Sequence, residues 1–462
     1  SIWGADAIGG VIQIFTRQLT DGEIALDLGA GNGGQQQASL SGALGHGDGV
    51  TTITIAASSA DGHDVIIDVP SDYEPDKDGY RRENVSIIGH QNLTNNWQIN
   101  WLAKYDQGNS KYDNGWKSNQ INNKASQWQL GASQTNDQWQ QRVSIGQQIN
   151  EDISFGDGTS LADASLFKTK RLQLNWLGST ELSSELSANL GADWYRESIK
   201  TNNTYDQTER DVSAVFGHMI YNNSNLILEG SLRYDDIESV GNEVTYNASA
   251  GIHLNDGSLL SFNIGHGFKA PSFNQLYYPN YGNPDLKPET SDSVEWLLRT
   301  KLGLVNTELS IYRTNIENLI SRYNDSQPVK IKGVELVLDG SALGFEHQVQ
   351  LGYLNAKDTA TDKPLALRAK HTASYLISYD WQQLQFSSSI NYQGKRIDGS
   401  QKLASNTLVN FSASYQIDNF WKVAVKANNV FDKQYISAYY FGSSSYYAGE
   451  PARVLLTLSY RQ

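Results

Sequence analysis

The 462-residue chain carries 36 Lys and Arg against 50 Asp and Glu, a net charge of −14, with no Cys and a single Met. That balance argues against a general nucleic-acid binder, and the missing thiols exclude a disulfide framework, thiolate metal ligation and cysteine nucleophiles. Apolar residues make up 39% and no run approaches the ~18 consecutive apolar residues of a transmembrane helix; a membrane β-barrel, apolar only at every second strand position, stays open.

The first 17 residues, SIWGADAIGGVIQIFTR, run from small residues through Gly9 and Gly10 into the apolar Val11, Ile12, Ile14 and Phe15, and read as a strand that ends one domain before another begins. Residues 29–34, GAGNGG, formally fit a dinucleotide glycine pattern. Residues 35–45, QQQASLSGALG, alternate as a strand and offer no helix N-terminus for a pyrophosphate, so the glycine stretch is read as a hairpin loop. Residues 61–80 hold six Asp without the glycine and glutamate placement of an EF-hand, and are read as an exposed loop leading into a strand at Tyr80.

Period-two alternation then recurs almost to the end. Trp97, Ile99, Trp101, Ala103 and Tyr105 share one face; Leu186, Ala188, Leu190, Ala192 and Trp194 share another; Val454, Leu456, Leu458 and Tyr460 close the series. Short polar punctuators such as 94–96 and 135–137 alternate with long connections rich in Asp, Asn, Gly and Ser. The 25 Tyr and 11 Trp suit the aromatic girdles of a barrel with brief turns at one end and long loops at the other. At roughly 20 residues per strand and connection, the length corresponds to about 22 strands. A soluble β-sandwich array is the alternative, though its strands are shorter and have no reason to end in aromatics. The eight His form no His-Glu-x-x-His pair and no nucleophile-elbow context. A barrel lipase or protease would need a Ser/His/acid set that this pattern does not single out.

Trp3, Gly4, Asp6 to Val11, Ile14 and Thr16 resemble the end of the plug domain of TonB-dependent outer-membrane receptors. Residues 265–296, with Phe268-Lys269-Ala270-Pro271 and Gly282-Asn283-Pro284-Asp285-Leu286-Lys287-Pro288-Glu289, resemble that family's strongest barrel motif, and 312–320, 331–336, 365–371 and 428–435 fall in the family order. The resemblance implies an all-β fold: a large transmembrane antiparallel barrel of about 22 strands from residue 18 to 462, preceded by only the tail of the plug over 1–17. It implies a Gram-negative outer membrane, a monomer surrounded by outer-membrane lipid and lipopolysaccharide, and active transport with no covalent chemistry. The energising partner, TonB, would act through a plug region that this sequence does not contain. A porin-like passive pore is the competing expectation for a barrel without its plug.

Within the family the resemblance is to the cobalamin (corrinoid) transporters, with a ferric-siderophore receptor as the alternative. It implies calcium bound in two extracellular loops, carried over onto Asp113 in 105–114 and Asp157 and Asp163 in 153–163, with Asp106 as a further candidate; the alternative is that loop aspartates merely solvate their loops. Asn122 and Asn123 stand where another acid is expected, which lowers the charge of such a site. Tyr460, followed by Arg461 and Gln462, is expected to face lipid with Leu456 and Leu458.

Overall fold

In a computed structural model of the chain, the structure describes residues 4, 10–14, 17–67, 76–113, 118–156, 158–320, 326–440 and 445–462. A 22-stranded antiparallel sheet closes on itself: the first strand, Ile24–Gly31, pairs both with its neighbour Gln36–Gly45 and with the last strand, Arg453–Arg461. Every intervening strand pairs with the next in chain order, so the barrel is an up-and-down meander. The seam is fastened by seven residue pairs from Ala25↔Arg461 to Gly31↔Leu455. On its inner face Arg461 grips Asp27 with two 2.8 Å hydrogen bonds, and the Ser459 hydroxyl donates to the same carboxylate at 2.6 Å.

Alternation decides which side chains meet lipid. Trp97, Ile99 and Tyr105 are exposed on the outer wall, and so are Leu190, Val454 and Leu456, while Asn175 and Asp193 pair across the inner wall at 2.8 Å. Tyr460 takes the outer side as expected, against Phe420 and Trp421. Aromatics collect at the two borders of the apolar band. Trp97, Trp139, Trp381 and Phe420 lie by the short turns, and Tyr105, Tyr246 and Tyr353 lie toward the long loops, the placement that amphipathic rings favour at membrane interfaces.

Residues 29–34 form the hairpin read from the sequence, and a strand begins at Tyr80. The long connections carry structure that alternation does not announce. A five-residue helix, Phe273–Tyr277, is capped by Ser272 and Gln275 in a reciprocal box, and a small sheet joins Ile66–Ile67 with Ile436–Tyr439 and Tyr446–Ala448 across two loops. The strand expected in the opening stretch is not formed over 10–14, where Ile12 and Ile14 lie open. Closure has already used both edges of every barrel strand, so the sheet has no edge left to pair with it.

A charge on the lipid face at mid-band has no partner and no water. Leu351, in register with Leu336 and, through it, Leu309, is the test position: Leu351→Arg lowers folding stability by about 2–4 kcal/mol, whereas Gln350→Arg, pointing into the lumen, costs far less. Equilibrium unfolding in phospholipid vesicles measures both.

Candidate functional site at the long-loop end

Two adjacent loops bring three carboxylates together. The loop after the strand Gly49–Ala60 is folded back on itself by His63 and Asp78, whose backbones bond at 3.1 Å. Gly62 makes this possible: its φ is +75°, and a Cβ there would sit 2.0 Å from the Asp78 carbonyl oxygen. The Val65 N–H then donates to Asp78 Oδ2 at 3.0 Å. One residue on, the Ile66 N–H donates to Asp113 Oδ2 at 3.0 Å, which ties in the second loop; its base is closed by Tyr112 and Asn119 and joined to the first by the Lys111 N–H on the Gly79 carbonyl.

The result is a cluster of Asp64, Asp78 and Asp113 with one oxygen of each within 4.8 Å of the others. Asp78 and Asp113 each spend one oxygen on a backbone N–H, and the other, Oδ1, is buried without a hydrogen-bond partner. Burial, with Asp78 beside it, raises the Asp113 carboxyl to about 6, against the pull of the Ile66 N–H; burial and then Asp76 and Asp64 raise Asp78. Three crowded acids, two of which, Asp78 and Asp113, bury an oxygen that accepts no hydrogen bond, are the donor set of a hard cation. Two oxygens bound to one calcium at about 2.4 Å lie at most about 4.8 Å apart, and the three oxygens here lie within that limit, so the residues fit such an ion.

Of the residues singled out from the sequence, Asp113 is in this cluster. Asp106 is not: it lies in the strand Trp97–Lys111 and is bound by Arg82 at 2.8 Å. Asp163 is held within its own loop by the Ser160 hydroxyl at 2.7 Å, and Asp157 lies outside the described residues. Asn122 and Asn123 are strand residues rather than loop residues, bonded to Asn109 and Asp152. Asp64 and Asp78, read only as part of an exposed acidic loop, are half-buried and supply the other two carboxylates. The available signal was the density of Asp between Gly62 and Gly79, but no fixed spacing ties that stretch to Asp113.

Below the loops, toward the middle of the wall, several inner arginines are matched by acids. Glu197 accepts from Arg210 at 2.8 Å and faces Arg171 at 3.5 Å, and Arg233 is clamped between Asp193 at 2.6 Å and Asp235 at 2.9 Å. Arg171 also lies 3.6 Å over the Tyr195 ring. Gly4 lies against the Arg233 guanidinium, where a Cβ would come within 3.0 Å, so Gly4 stands at this wall. These arginines are already compensated, and around them the wall presents hydrogen-bonding groups and an aromatic face.

The profile described as "TonB dependent receptor-like, beta-barrel" matches residues 32–430. The chain belongs to the TonB-dependent receptor β-barrel family. It is 32% identical over 97% of its length to the vitamin B12 transporter BtuB of Photobacterium profundum, covering 77% of that protein, and 27% identical over its whole length to BtuB of Vibrio vulnificus, covering 78%. Among solved structures, a mutant of the ferric enterobactin receptor PfeA of Pseudomonas aeruginosa superposes with a TM-score of 0.85 at 15% identity, covering 100% of this chain and 83% of PfeA. The siderophore receptor PirA of Acinetobacter baumannii gives 0.85 at 14%, covering 100% and 83%. At those identities the structural likeness establishes the barrel and nothing about its cargo. With the family established, the barrel is an outer-membrane receptor and transporter barrel, its long loops outside the cell and its short turns in the periplasm.

The crowded cluster has a pH signature. Because the Asp113 carboxyl is raised in the folded loop, with chelator present it favours the docked loop fully below pH about 4, its ordinary range, and that contribution is lost as pH rises through about 6. Asp113→Asn keeps the oxygen that accepts from Ile66 and removes the charge. Limited proteolysis of 61–79 with chelator present is therefore expected to be slower in Asp113→Asn than in wild type at pH 7, and equal at pH 4.

Proposed function

We propose that this receptor carries cobalamin or a related corrinoid across the outer membrane, energised by TonB. The observation that carries the reading is the 32% identity to a vitamin B12 transporter across 97% of the chain, and two features of the site support it. A crowded carboxylate cluster lies among the long loops, and several arginines of the inner wall beneath it are matched by acids, a poor trap for a polyanionic ferric complex and a suitable surface for a large, hydrogen-bonding ligand of low net charge. No step requires bond chemistry: loops capture, the wall holds by hydrogen bonds and stacking, and movement of the plug releases the ligand.

Asp64, Asp78 and Asp113 are the core ligands for calcium in this proposal, with Asp163 and Asp157 as contributors from the neighbouring loop and Asp106 assigned instead to the inner wall through Arg82. Bound there, the ion would neutralise the cluster and tie the first two acidic loops together. Tyr447 is close enough for the Asp113 charge to help hold its hydroxyl protonated, after burial and Tyr440, so the last long loop meets the same point. Ordering of this corner shapes one side of the entrance.

Cyanocobalamin binding to the full-length receptor, titrated with calcium and then with a chelator, tests the reading. Calcium-dependent binding is expected, weakened at least about tenfold by chelator and by the combined variant Asp64→Asn, Asp78→Asn, Asp113→Asn, a loss of about 1.4 kcal/mol or more. Binding that ignores calcium would remove the metal from the proposal and keep the corrinoid. Absence of corrinoid binding in both conditions, with uptake of a ferric siderophore, would transfer the cargo to the siderophore class.

A further inference from the structure

Where the strand Phe345–Asp358 leaves the barrel wall, two neighbouring long connections fold against its inner side. Leu354 and Ala356 have the parity opposite to that of the exposed Tyr353, so they face inward. The Leu354 N–H donates to the Lys370 carbonyl at 2.9 Å, the Leu365 N–H to the Ala356 carbonyl at 3.0 Å, and the Leu367 N–H to the Ile397 carbonyl at 2.7 Å. These bonds lay residues 365–370 between the strand and a small hairpin in which Arg396–Asp398 pairs with Gln401–Leu403.

The cleft between them has a volume of about 250 Å³. Arg368, Lys370, Lys395, Arg396 and Lys402 line it, and none of its lining residues is acidic. Among the described residues none of the five is in a salt bridge: Asp362 pairs instead with Lys357 at 2.9 Å, and Asp398 accepts from the Tyr439 N–H at 2.8 Å. Four of the cations are exposed to water. Arg396 is only 9% exposed; it donates to the Ser437 and Ile436 carbonyls at 3.2 and 3.3 Å, and its Nε is buried without a partner. Burial holds its guanidinium below the ordinary range, against Tyr435 and Asp398, as for a cation short of counter-charge. A buried cation with further cations at its rim is unfavourable until an anion joins them.

The cleft belongs to the mouth of the barrel. The two carbonyls that hold Arg396 lie on one edge strand of the small sheet formed by Ile436–Tyr439, Tyr446–Ala448 and Ile66–Ile67. At the opposite edge the Ile66 N–H binds Asp113 of the acidic cluster. One three-stranded sheet therefore carries a basic cleft at one edge and the acidic corner at the other.

We propose that Arg368, Lys370, Lys395, Arg396 and Lys402 bind the phosphate of the corrinoid's nucleotide loop. The proposal rests on the corrinoid reading and adds which part of that cargo the mouth recognises. Pockets for whole ligands span roughly 300–1,000 Å³, so a cleft of this size takes one group of a ligand and not an intact metal complex. The phosphodiester that joins the corrin side chain to the lower base is the fixed anion of such a ligand, and its amide arms are neutral. Arg offers that group a planar fork and Lys offers point charges. The apolar floor of Leu354 and Ala356 suits the sugar carbons beside it.

The test is equilibrium binding to the full-length receptor in calcium with three corrinoids: cyanocobalamin, cobinamide, which lacks the phosphate and the base, and cobinamide phosphate, which restores the phosphate alone. The variant is Arg368→Gln, Lys370→Gln, Lys402→Gln. A charge-matched control, Lys124→Gln, Lys170→Gln, Lys200→Gln, removes three exposed cations elsewhere toward the long loops, and heat-modifiable gel migration verifies that both are folded. The cleft variant is expected to bind cyanocobalamin and cobinamide phosphate at least about tenfold more weakly and cobinamide within about twofold of wild type, with the control unchanged for all three. Equal losses for all three corrinoids, the same losses in the control, or no loss in the cleft variant would overturn the site. Inorganic phosphate bound by wild type as tightly as cyanocobalamin, and lost in the cleft variant, would overturn the cargo assignment in favour of a free-anion site. Wild type that binds no corrinoid at all would overturn the corrinoid reading itself, and this subsite with it.

Discussion

Closure of the hydrogen-bond ladder governs this molecule. In hydrocarbon an unpaired backbone N–H or C=O costs several kcal/mol, and opening the seam between Ile24–Gly31 and Arg453–Arg461 would strand on the order of ten such groups. The first and last strands therefore must meet, although over 420 residues separate them in sequence. Arg461, Ser459 and Asp27 add a polar clasp on the inner face of that seam. Once closure is fixed, strand parity is fixed everywhere, because each strand inherits its facing from the one before it through the register.

Parity separates the two chemistries of the wall. Outward positions supply the apolar band, its aromatic borders and, toward the long loops, charged residues such as Lys124, Lys168 and Arg313. Inward positions hold the acid-matched arginines, such as Arg210 with Glu197 and Arg233 with Asp193 and Asp235. A one-residue slip would exchange these sets and place Arg233 in lipid, so the register is held by the cost of the wrong arrangement as much as by contacts in the right one.

The loops escape parity, and their organisation comes from individual backbone bonds. Gly62, with its positive φ, lets the chain approach Asp78; the Val65 and Ile66 N–H groups then each take one oxygen from Asp78 and Asp113. The carboxylates of Asp64, Asp78 and Asp113 are left crowded, one oxygen of each within 4.8 Å of the others. That geometry is unfavourable for the bare protein and favourable for a bound cation, a coupling that makes the order of the mouth responsive to what occupies it.

The barrel was legible in the amino-acid sequence alone. A period of two is a local property of a strand, and the alternation of Trp97 to Tyr105 or Val454 to Tyr460 needs no knowledge of neighbours. Motifs such as 265–296 are contiguous, which made the family legible too. Asp113 was legible as a loop acid, but its partners Asp64 and Asp78 were not, since the spacing between them is set by two separate loop closures and not by any period. The same holds for Asp106, which looked like a loop acid and is a strand residue paired with Arg82, and for the opening apolar run, which has strand character without an available edge. Neighbours on the wall were equally hidden: Arg313 and Lys332 lie on different strands, and it takes the folded register to place them side by side, because cross-strand neighbours are chosen by where each turn closes.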